Sequence, residues 1–238
     1  MDVKVNAVVL KAVDYKENDK LLTLLSVEEG KIRAVIRGIK KPTAKLRFAG
    51  QPFCFSEYVL KKRGDYYSVI NANCIEMFYE LWQDVEKYYC ASIIAEFVDE
   101  ISLDSAQSDD LALLVVNSYK ELLCGENSPK FILCKFFIEG LDYAGYKMQN
   151  GVCVKCGEVI EGKAFYSFDS GGGVCESCKE NEREIRLTTL KALEKIENGI
   201  EEDLDDYYLH VLRLMARYIE YKTGIVLSSL TQFIVSLK

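Results

Sequence analysis

Two closely spaced pairs of cysteines restrict the folding of this chain more than any other feature of its sequence. Cys153-Val-Lys-Cys156 is followed, after eighteen residues, by Cys175-Glu-Ser-Cys178. Each pair can turn two sulfurs toward one cation, and a folded ribbon between the pairs would complete a tetrahedron of thiolates. Gly157, directly after the first pair, eases the tight turn around a metal. The spacing predicts a Zn²⁺ site with Cys153, Cys156, Cys175 and Cys178 as its ligands.

The predicted metal site is structural and holds one ion. Four protein thiolates leave no open position for water or substrate, which argues against a zinc-dependent hydrolase. Two disulfides or free thiols are the alternatives to zinc. The other five cysteines stand singly in segments that look like buried strands or helices: Cys54, Cys74, Cys90, Cys124 and Cys134. An odd total of nine and this scattered usage fit a reducing compartment, so we expect a cytosolic protein.

The first 80 residues have the composition of short strands separated by polar or glycine breaks. The five segments are VNAVVLKAV, KLLTLLSV, KIRAVIR, FCFSEYVLKK and YYSVINANC. Five strands in this length predict a small barrel over residues 1–78, either of the oligonucleotide-binding (OB) type or SH3-like. In the fourth segment Phe53 and Phe55 share one parity and Tyr58 and Leu60 the other, so we expect a bulge or a change of face there.

From Glu76 onward apolar residues recur at spacings of three and four, which is typical of helices. Helices are expected at 82–101, 109–124, 129–143, 188–197, 203–222 and 228–237, with the cysteine ribbon inserted at about 146–182. The fold class is therefore α+β: an N-terminal five-stranded OB-type barrel, then an all-α domain (79–238) that carries a four-cysteine zinc ribbon. The acidic run Glu201–Asp206 precedes a helix whose dipole favours carboxylates, which explains it better than a cation site.

Charge is segregated along the chain. The net charge is −7, but residues 1–80 have a balance of +4 and the remainder one of −11. Between Lys31 and Arg63 there are ten basic residues and one acid, Glu57. Alternation in the third predicted strand places its cations on the solvent face. The stretch Lys31–Arg47 could hold a sugar-phosphate backbone by counterion release, without reading bases, although a solvated loop is the competing interpretation.

Catalytic patterns are missing from the sequence. His210 is the one histidine and lies in a helical pattern, where a structural or solvent-facing role is favoured. We find no histidine-dependent triad, P-loop or dinucleotide-binding glycine motif, and Gly171-Gly-Gly173 is interpreted as the turn that enters the second cysteine pair. The chain is therefore expected not to be an enzyme, although catalysis by lysines or carboxylates would leave no such motif. No apolar run is long enough for a membrane span or fits a signal peptide.

Three segments together resemble the RecO family of recombination mediators over almost the whole chain. They are VVLKAVDYKENDKLLTLLSVEEGKIRAVIRGIKKPTAKLR, the cysteine ribbon GYKMQNGVCVKCG with FYSFDSGGGVCESC, and the closing HVLRLMARYIEYKTGIVLSSL. The resemblance implies an OB barrel, a helical domain and a four-cysteine zinc insertion. It carries over as candidate DNA contacts the residues Lys31, Arg33, Arg37, Lys40, Lys41, Lys45 and Arg47.

The resemblance also implies a function. Such proteins bind single- and double-stranded DNA, anneal complementary strands, pair with RecR and help RecA load onto strands covered by single-stranded DNA-binding protein. A cytoplasmic, nucleoid-associated bacterial protein is implied, with no membrane partner. The alternative is a zinc-stabilised adaptor whose acidic helical domain docks other proteins and whose contact with nucleic acid is incidental.

Overall fold

The computed structural model describes residues 2–64, 66–103, 109–201 and 205–237. The chain divides at residue 126 into two compact units. The first unit contains the five predicted strands and two helices, and the second contains a small sheet and four helices. The first two helices, which the sequence pattern assigns to the second domain, thus belong to the same compact unit as the strands.

The first unit begins with a closed five-stranded barrel, as predicted. Its strands are β1 (Asp2–Tyr15), β2 (Asp19–Ser26), β3 (Gly30–Ile36), β4 (Cys54–Arg63) and β5 (Tyr66–Met77). They are arranged in the order β1-β2-β3-β5-β4, and β4 pairs back with β1. All pairs are antiparallel except β3 with β5. This order is that of an OB-type Greek-key barrel, not of an SH3-like one.

Alternating apolar side chains fill the barrel. The core includes Val5, Ala7, Val9, Leu22, Leu24, Ile32, Ala34, Ile36, Tyr58, Leu60, Val69 and Ala72. The connection between β3 and β4 contributes Ile39 and Ala49 to the same core, and the Tyr58 hydroxyl donates to the Ala49 carbonyl at 2.8 Å. A Cβ at Gly50 would lie 2.2 Å from the terminal methyl of Ile39, so a side chain there would displace that buried methyl group. Packing thereby anchors both ends of the basic loop, residues 37–47, to the barrel.

The prediction of a bulge within the fourth segment is wrong. Residues 54–60 of β4 alternate without interruption, with Tyr58 and Leu60 facing the core. Phe53 precedes the strand with φ +67°, and its ring is buried outside the barrel against Trp82, Tyr88 and Tyr119. The register shifts opposite β4 instead fall in β5. Phe53 is therefore accommodated outside the barrel without a bulge in β4, because other aromatic side chains cover it there.

That layer consists of the helices α1 (Val85–Ile101) and α2 (Asp109–Cys124). Both contact β1, and α2 also contacts β2. Val8 and Leu25, neighbours across β1 and β2, lie outside the barrel core cluster and are fully buried. Asp84 caps α1 by accepting from the Lys87 N–H, so the helix begins three residues later than its apolar pattern predicts. The predicted helix at 109–124 is confirmed.

The second unit combines four helices with a three-stranded ribbon. The helices are α3 (Pro129–Tyr143), α4 (Leu187–Glu197), α5 (Asp205–Thr223) and α6 (Ser228–Ser236). The strands β6 (Ala164–Ser167), β7 (Gly172–Cys175) and β8 (Arg183–Ile185) form an antiparallel sheet in the order β7-β6-β8. The predicted helices are confirmed within about two residues at each end. Much of the acidic run, at 202–204, lies outside the described residues.

The glycine triplet does more than turn the chain. Gly171 occupies the turn, with φ +69°, whereas Gly172 and Gly173 lie in β7. A Cβ at Gly172 would lie 2.4 Å from the backbone oxygen of Gln149, and one at Gly173 would lie 2.7 Å from Leu190. The sequence interpretation as a turn therefore holds for the first glycine alone, and the other two allow close packing of the ribbon.

Gly172→Ala is expected to lower the free energy of unfolding by about 2 kcal/mol, because the backbone of Gln149 has to move to admit a methyl group. Chemical denaturation followed by far-UV circular dichroism measures the change. Ser170→Ala is the matched control, since Ser170 is exposed in the same connection. Equal stability of the two variants would contradict the packing role.

Candidate nucleic-acid interface and metal centre

The four predicted metal ligands lie together in the second unit. The sulfurs of Cys153, Cys156, Cys175 and Cys178 all lie within 4.8 Å of one another, and those of Cys156 and Cys175 are 3.8 Å apart. A tetrahedron with metal–sulfur bonds of 2.3 Å has edges of about 3.8 Å. A disulfide needs about 2.05 Å, and all nine cysteines of the chain are free thiols. The donor set therefore fits a tetrathiolate metal ion and not a pair of disulfides.

The backbone prepares one of these sulfurs to be a thiolate. Burial raises the pKa of Cys153, but N–H groups of Cys175, Lys155 and Cys156 outweigh burial and lower this pKa to about 6. The Cys175 N–H lies 3.4 Å from the Cys153 sulfur. Hydrogen bonds with the thiols of Cys175 and Cys156 raise the pKa of Cys178 to about 12. Four crowded thiols cannot all ionise alone, so a cation is what would allow the full set of thiolates.

An ion-pair cluster joins the two cysteine pairs independently of a metal. Lys155, inside the first pair, contacts Glu182 at 2.7 Å and Glu180 at 3.1 Å, and both carboxylates follow the second pair. The hydrogen bond from Lys155 lowers the pKa of Glu182 to about 2. Sequence reasoning missed this contact, because alternating charges beside a cysteine motif give no signal that they meet across a ribbon.

Six of the seven predicted DNA contacts are exposed on the first unit. They are Arg33, Arg37, Lys40, Lys41, Lys45 and Arg47. Arg33 lies on the outer face of β3, directly across from Thr23, which in turn pairs with Lys11 of β1. Lys11 is also exposed, so the outer surface of these strands adds a cation that the sequence prediction omitted. The basic loop leaves β3 at this surface.

The basic loop is held in place by contacts to the β1–β2 turn and within itself. Asp19 accepts a hydrogen bond from the Gly38 N–H at 2.8 Å, and the Lys40 N–H donates to the Asn18 carbonyl at 3.1 Å. The Lys40 ammonium contacts Asp14 at 2.6 Å and lowers the pKa of that carboxyl. Arg47 donates to two carbonyls of its own loop. These anchors present Arg37, Lys41 and Lys45 to solvent from a fixed backbone.

Lys31 is the exception among the predicted contacts. Its side chain is 12% exposed, and its ammonium donates to the Asp99 carbonyl at 2.6 Å and lies 3.7 Å from the Asp99 carboxylate. Lys31 therefore joins β3 to the end of α1. Its parity matches that of Arg33, but the helix covers the position, which the strand pattern alone does not reveal.

Few of the aromatic residues that could stack on bases are exposed. Tyr15 and Tyr66 are 38% and 41% exposed, whereas Phe53 and Tyr58 are buried. Lys16, beside Tyr15 in the β1–β2 turn, lies over the Tyr15 ring. The candidate interface therefore consists mainly of cations.

Comparison with known proteins then connects these two sites to a family. The model for the N-terminal domain of recombination protein O matches residues 1–78, and the model for its C-terminal domain matches residues 82–231. The chain belongs to the RecO family. The basic loop falls within the N-terminal RecO domain, and the cysteine cluster falls within the C-terminal one.

Proteins named DNA repair protein RecO resemble the chain over most of its length. The protein from Acetivibrio thermocellus is 32% identical over 76% of this chain and 72% of its own. That from Caldicellulosiruptor bescii is 34% identical over 80% and 78%, and that from Caldicellulosiruptor saccharolyticus is 33% identical over 82% and 78%. RecO membership thus rests on both domains. Among the described residues, no helix combines the length and apolar character that crossing a membrane requires.

Proposed function

We propose that this RecO-family chain acts in recombinational DNA repair by binding single- and double-stranded DNA and annealing complementary strands. The observation that carries the proposal is the group of six exposed cations on and beside β3 of an OB-type barrel. Family membership supports the repair role. The β2–β3 face and neighbouring loops are where OB barrels bind oligonucleotides, and the basic loop continues from that face.

Annealing needs no catalytic group. Two strands repel each other through their phosphates, and cations that neutralise part of this charge let the strands approach, after which base pairing supplies the free energy. The exposed arginines and lysines contact phosphate and sugar, so binding carries little sequence preference. On this mechanism the protein is not an enzyme, and RecR, RecA and single-stranded DNA-binding protein are its partners in loading a recombinase.

The cysteine cluster would hold one Zn²⁺ in this proposal. The ion would fix the ribbon of β6, β7 and β8, which is too small to bury a core of its own. Cys153, Cys156, Cys175 and Cys178 would be the ligands, and no step of DNA binding involves the metal.

Binding of an oligothymidylate is expected to weaken steeply with salt. Four to six phosphate contacts on a single strand predict a slope of log affinity against log salt concentration between about −3 and −4. Fluorescence anisotropy at several salt concentrations measures the slope. A control oligonucleotide of different sequence should give a similar value. An affinity that does not depend on salt, or no binding at low salt, would support the adaptor function instead.

A further inference from the structure

The second unit contains a cationic groove that the function proposed above does not use. It is lined by Arg186, Arg213, Arg217, His210, Glu184 and Leu214, and it has a volume of about 390 Å³. We call it the arginine groove. Arg186 lies directly before α4, and the other two arginines lie on α5. Residues distant in sequence thus bring three guanidinium groups to one concave surface, and Glu184 is the one acid among the described residues that line it.

The cations of the groove are available to a ligand. Arg213 and Arg217 have no hydrogen bond or ion pair with any residue that the structure describes. Arg186 contacts the Nε2 atom of His210, and because a guanidinium can only donate, that nitrogen is the acceptor. Unpaired arginines gathered in a groove repel one another, so an anion that binds between them relieves this repulsion.

The distribution of arginine along the sequence marks the same surface. The chain has eight arginines: four lie between positions 33 and 63, and four lie between 183 and 217. In residues 127–238 every other cation is a lysine, and all four arginines line this groove or the pocket beside it. Arginine binds phosphate with two parallel hydrogen bonds, which lysine cannot do.

The adjoining pocket adds an aromatic surface. It is lined by Arg183, Arg217, Phe168 and Tyr221, and Tyr221 is 55% exposed. Arg217 and Tyr221 are four residues apart on α5, so they lie on one face of the helix. Four acids among the described residues also line this pocket: Glu180 and Glu182 are paired with Lys155, Asp169 accepts a hydrogen bond from the Tyr221 hydroxyl, and Glu184 borders the arginine groove as well. Guanidinium groups beside an exposed ring suit the phosphates and bases of a single strand.

The spacing of the cations fits a chain of phosphates. Arg213 and Arg217 are about 6 Å apart along the axis of α5, at 1.5 Å per residue. Arg183 is the first residue of β8 and Arg186 follows the strand, and both line the concave surfaces beside α5. A polyanion with regularly repeated charges suits guanidinium groups spread over two adjoining surfaces better than a single small anion does.

We infer that the arginine groove binds the sugar-phosphate backbone of a second DNA strand. This inference rests on the proposed function, because it gives annealing the two strand sites that it requires. The basic loop holds one strand, and the arginine groove holds the other. Loss of the groove then impairs annealing more than it impairs binding of a first strand.

The test uses the full chain and the double variant Arg213→Gln/Arg217→Gln. Titration with a fluorescent oligothymidylate of about ten nucleotides measures how many strands each chain binds. We expect two for the wild type and one for the variant, with annealing of complementary strands about tenfold slower. Any second strand that the variant still binds at low salt should show a salt slope smaller by about 1.4, because two contacts are lost. The variant Lys163→Gln/Lys191→Gln, which removes equal charge outside the groove, should behave like the wild type.

The outcomes separate this inference from the proposed function. Two strands per chain and unchanged annealing in the groove variant would overturn the inference and leave the basic loop untouched. The inference would also be overturned if the wild type bound an oligoglutamate peptide and the groove variant lost this binding while its DNA binding stayed normal. The groove would then dock an acidic protein segment. Should the glutamine variant not fold, Arg213→Lys/Arg217→Lys keeps the charge, and the inference requires weaker binding of the second strand with the salt slope preserved.

Discussion

Cys153→Ser is expected to release the metal and to lower the free energy of unfolding of the second unit by about 4 kcal/mol or more. Cys153 is the most buried of the four ligands, and its sulfur accepts the Cys175 N–H, so its loss opens the tetrahedron and leaves that N–H without its partner. The ribbon packs through β6 and β7, whose apolar side chains are buried. The loss of stability should therefore extend from the metal ligands to the packed ribbon.

Metal analysis by mass spectrometry, thiol titration and urea denaturation measure these effects. The wild type should contain one zinc ion per chain, and a chelator should lower its stability toward that of the variant. Cys124→Ser is the matched control, because Cys124 is exposed and lies outside the cluster. A Cys153→Ser protein that keeps one zinc ion and unfolds at the wild-type urea concentration would show that the cluster is not the metal site.

The triple variant Arg37→Glu/Lys41→Glu/Lys45→Glu is expected to bind single-stranded DNA about 100-fold more weakly at moderate salt. Each substitution replaces an attraction for phosphate with a repulsion at a loop whose backbone is fixed. Lys40 is left unchanged because it pairs with Asp14, and a glutamate there would place two carboxylates together. The salt slope should fall by about 2, since three contacts on a single strand are lost.

Anisotropy with a labelled single strand and circular dichroism of the variant are the measurements. The variant Lys62→Glu/Lys191→Glu reverses two exposed cations outside the basic loop that form no ion pair with the described residues, so it separates local contacts from the overall field. A folded basic-loop variant with wild-type affinity would rule out this loop as the strand-binding surface.

Sequence patterns predict features of this protein that depend on neighbouring residues. Alternation in the third strand correctly separated Ile32 and Ala34 in the core from exposed Arg33. The spacing of Cys153, Cys156, Cys175 and Cys178 likewise predicted a cluster, because the two short turns and one ribbon determine where the sulfurs meet.

Features that depend on distant contacts escaped prediction. Lys31 has the parity of Arg33, but α1 reaches it through Asp99, which is 68 residues away in sequence. Phe53 is buried although it does not face the barrel core, because Trp82, Tyr88 and Tyr119 cover it. The arginine groove joins Arg186 to Arg213 and Arg217. The spacing of His210, Arg213 and Arg217 places them on one face of a helix and could have indicated a cationic surface. The second half of the chain is acidic overall, so its net charge gives no sign of this surface.

The coverage of the barrel by α1 and α2 determines how the protein can be dissected. Val8 and Leu25 are fully buried outside the barrel core, and exposing such side chains to water costs about 1.5–3 kcal/mol each. A fragment cut at residue 78, where the strands and the N-terminal family match both end, would carry this apolar surface uncovered and would lose the Lys31–Asp99 contact. The isolated barrel would then associate with itself through this apolar surface, and measurements of its DNA binding would reflect that association. The N-terminal half is best studied with both helices attached, as residues 1–126.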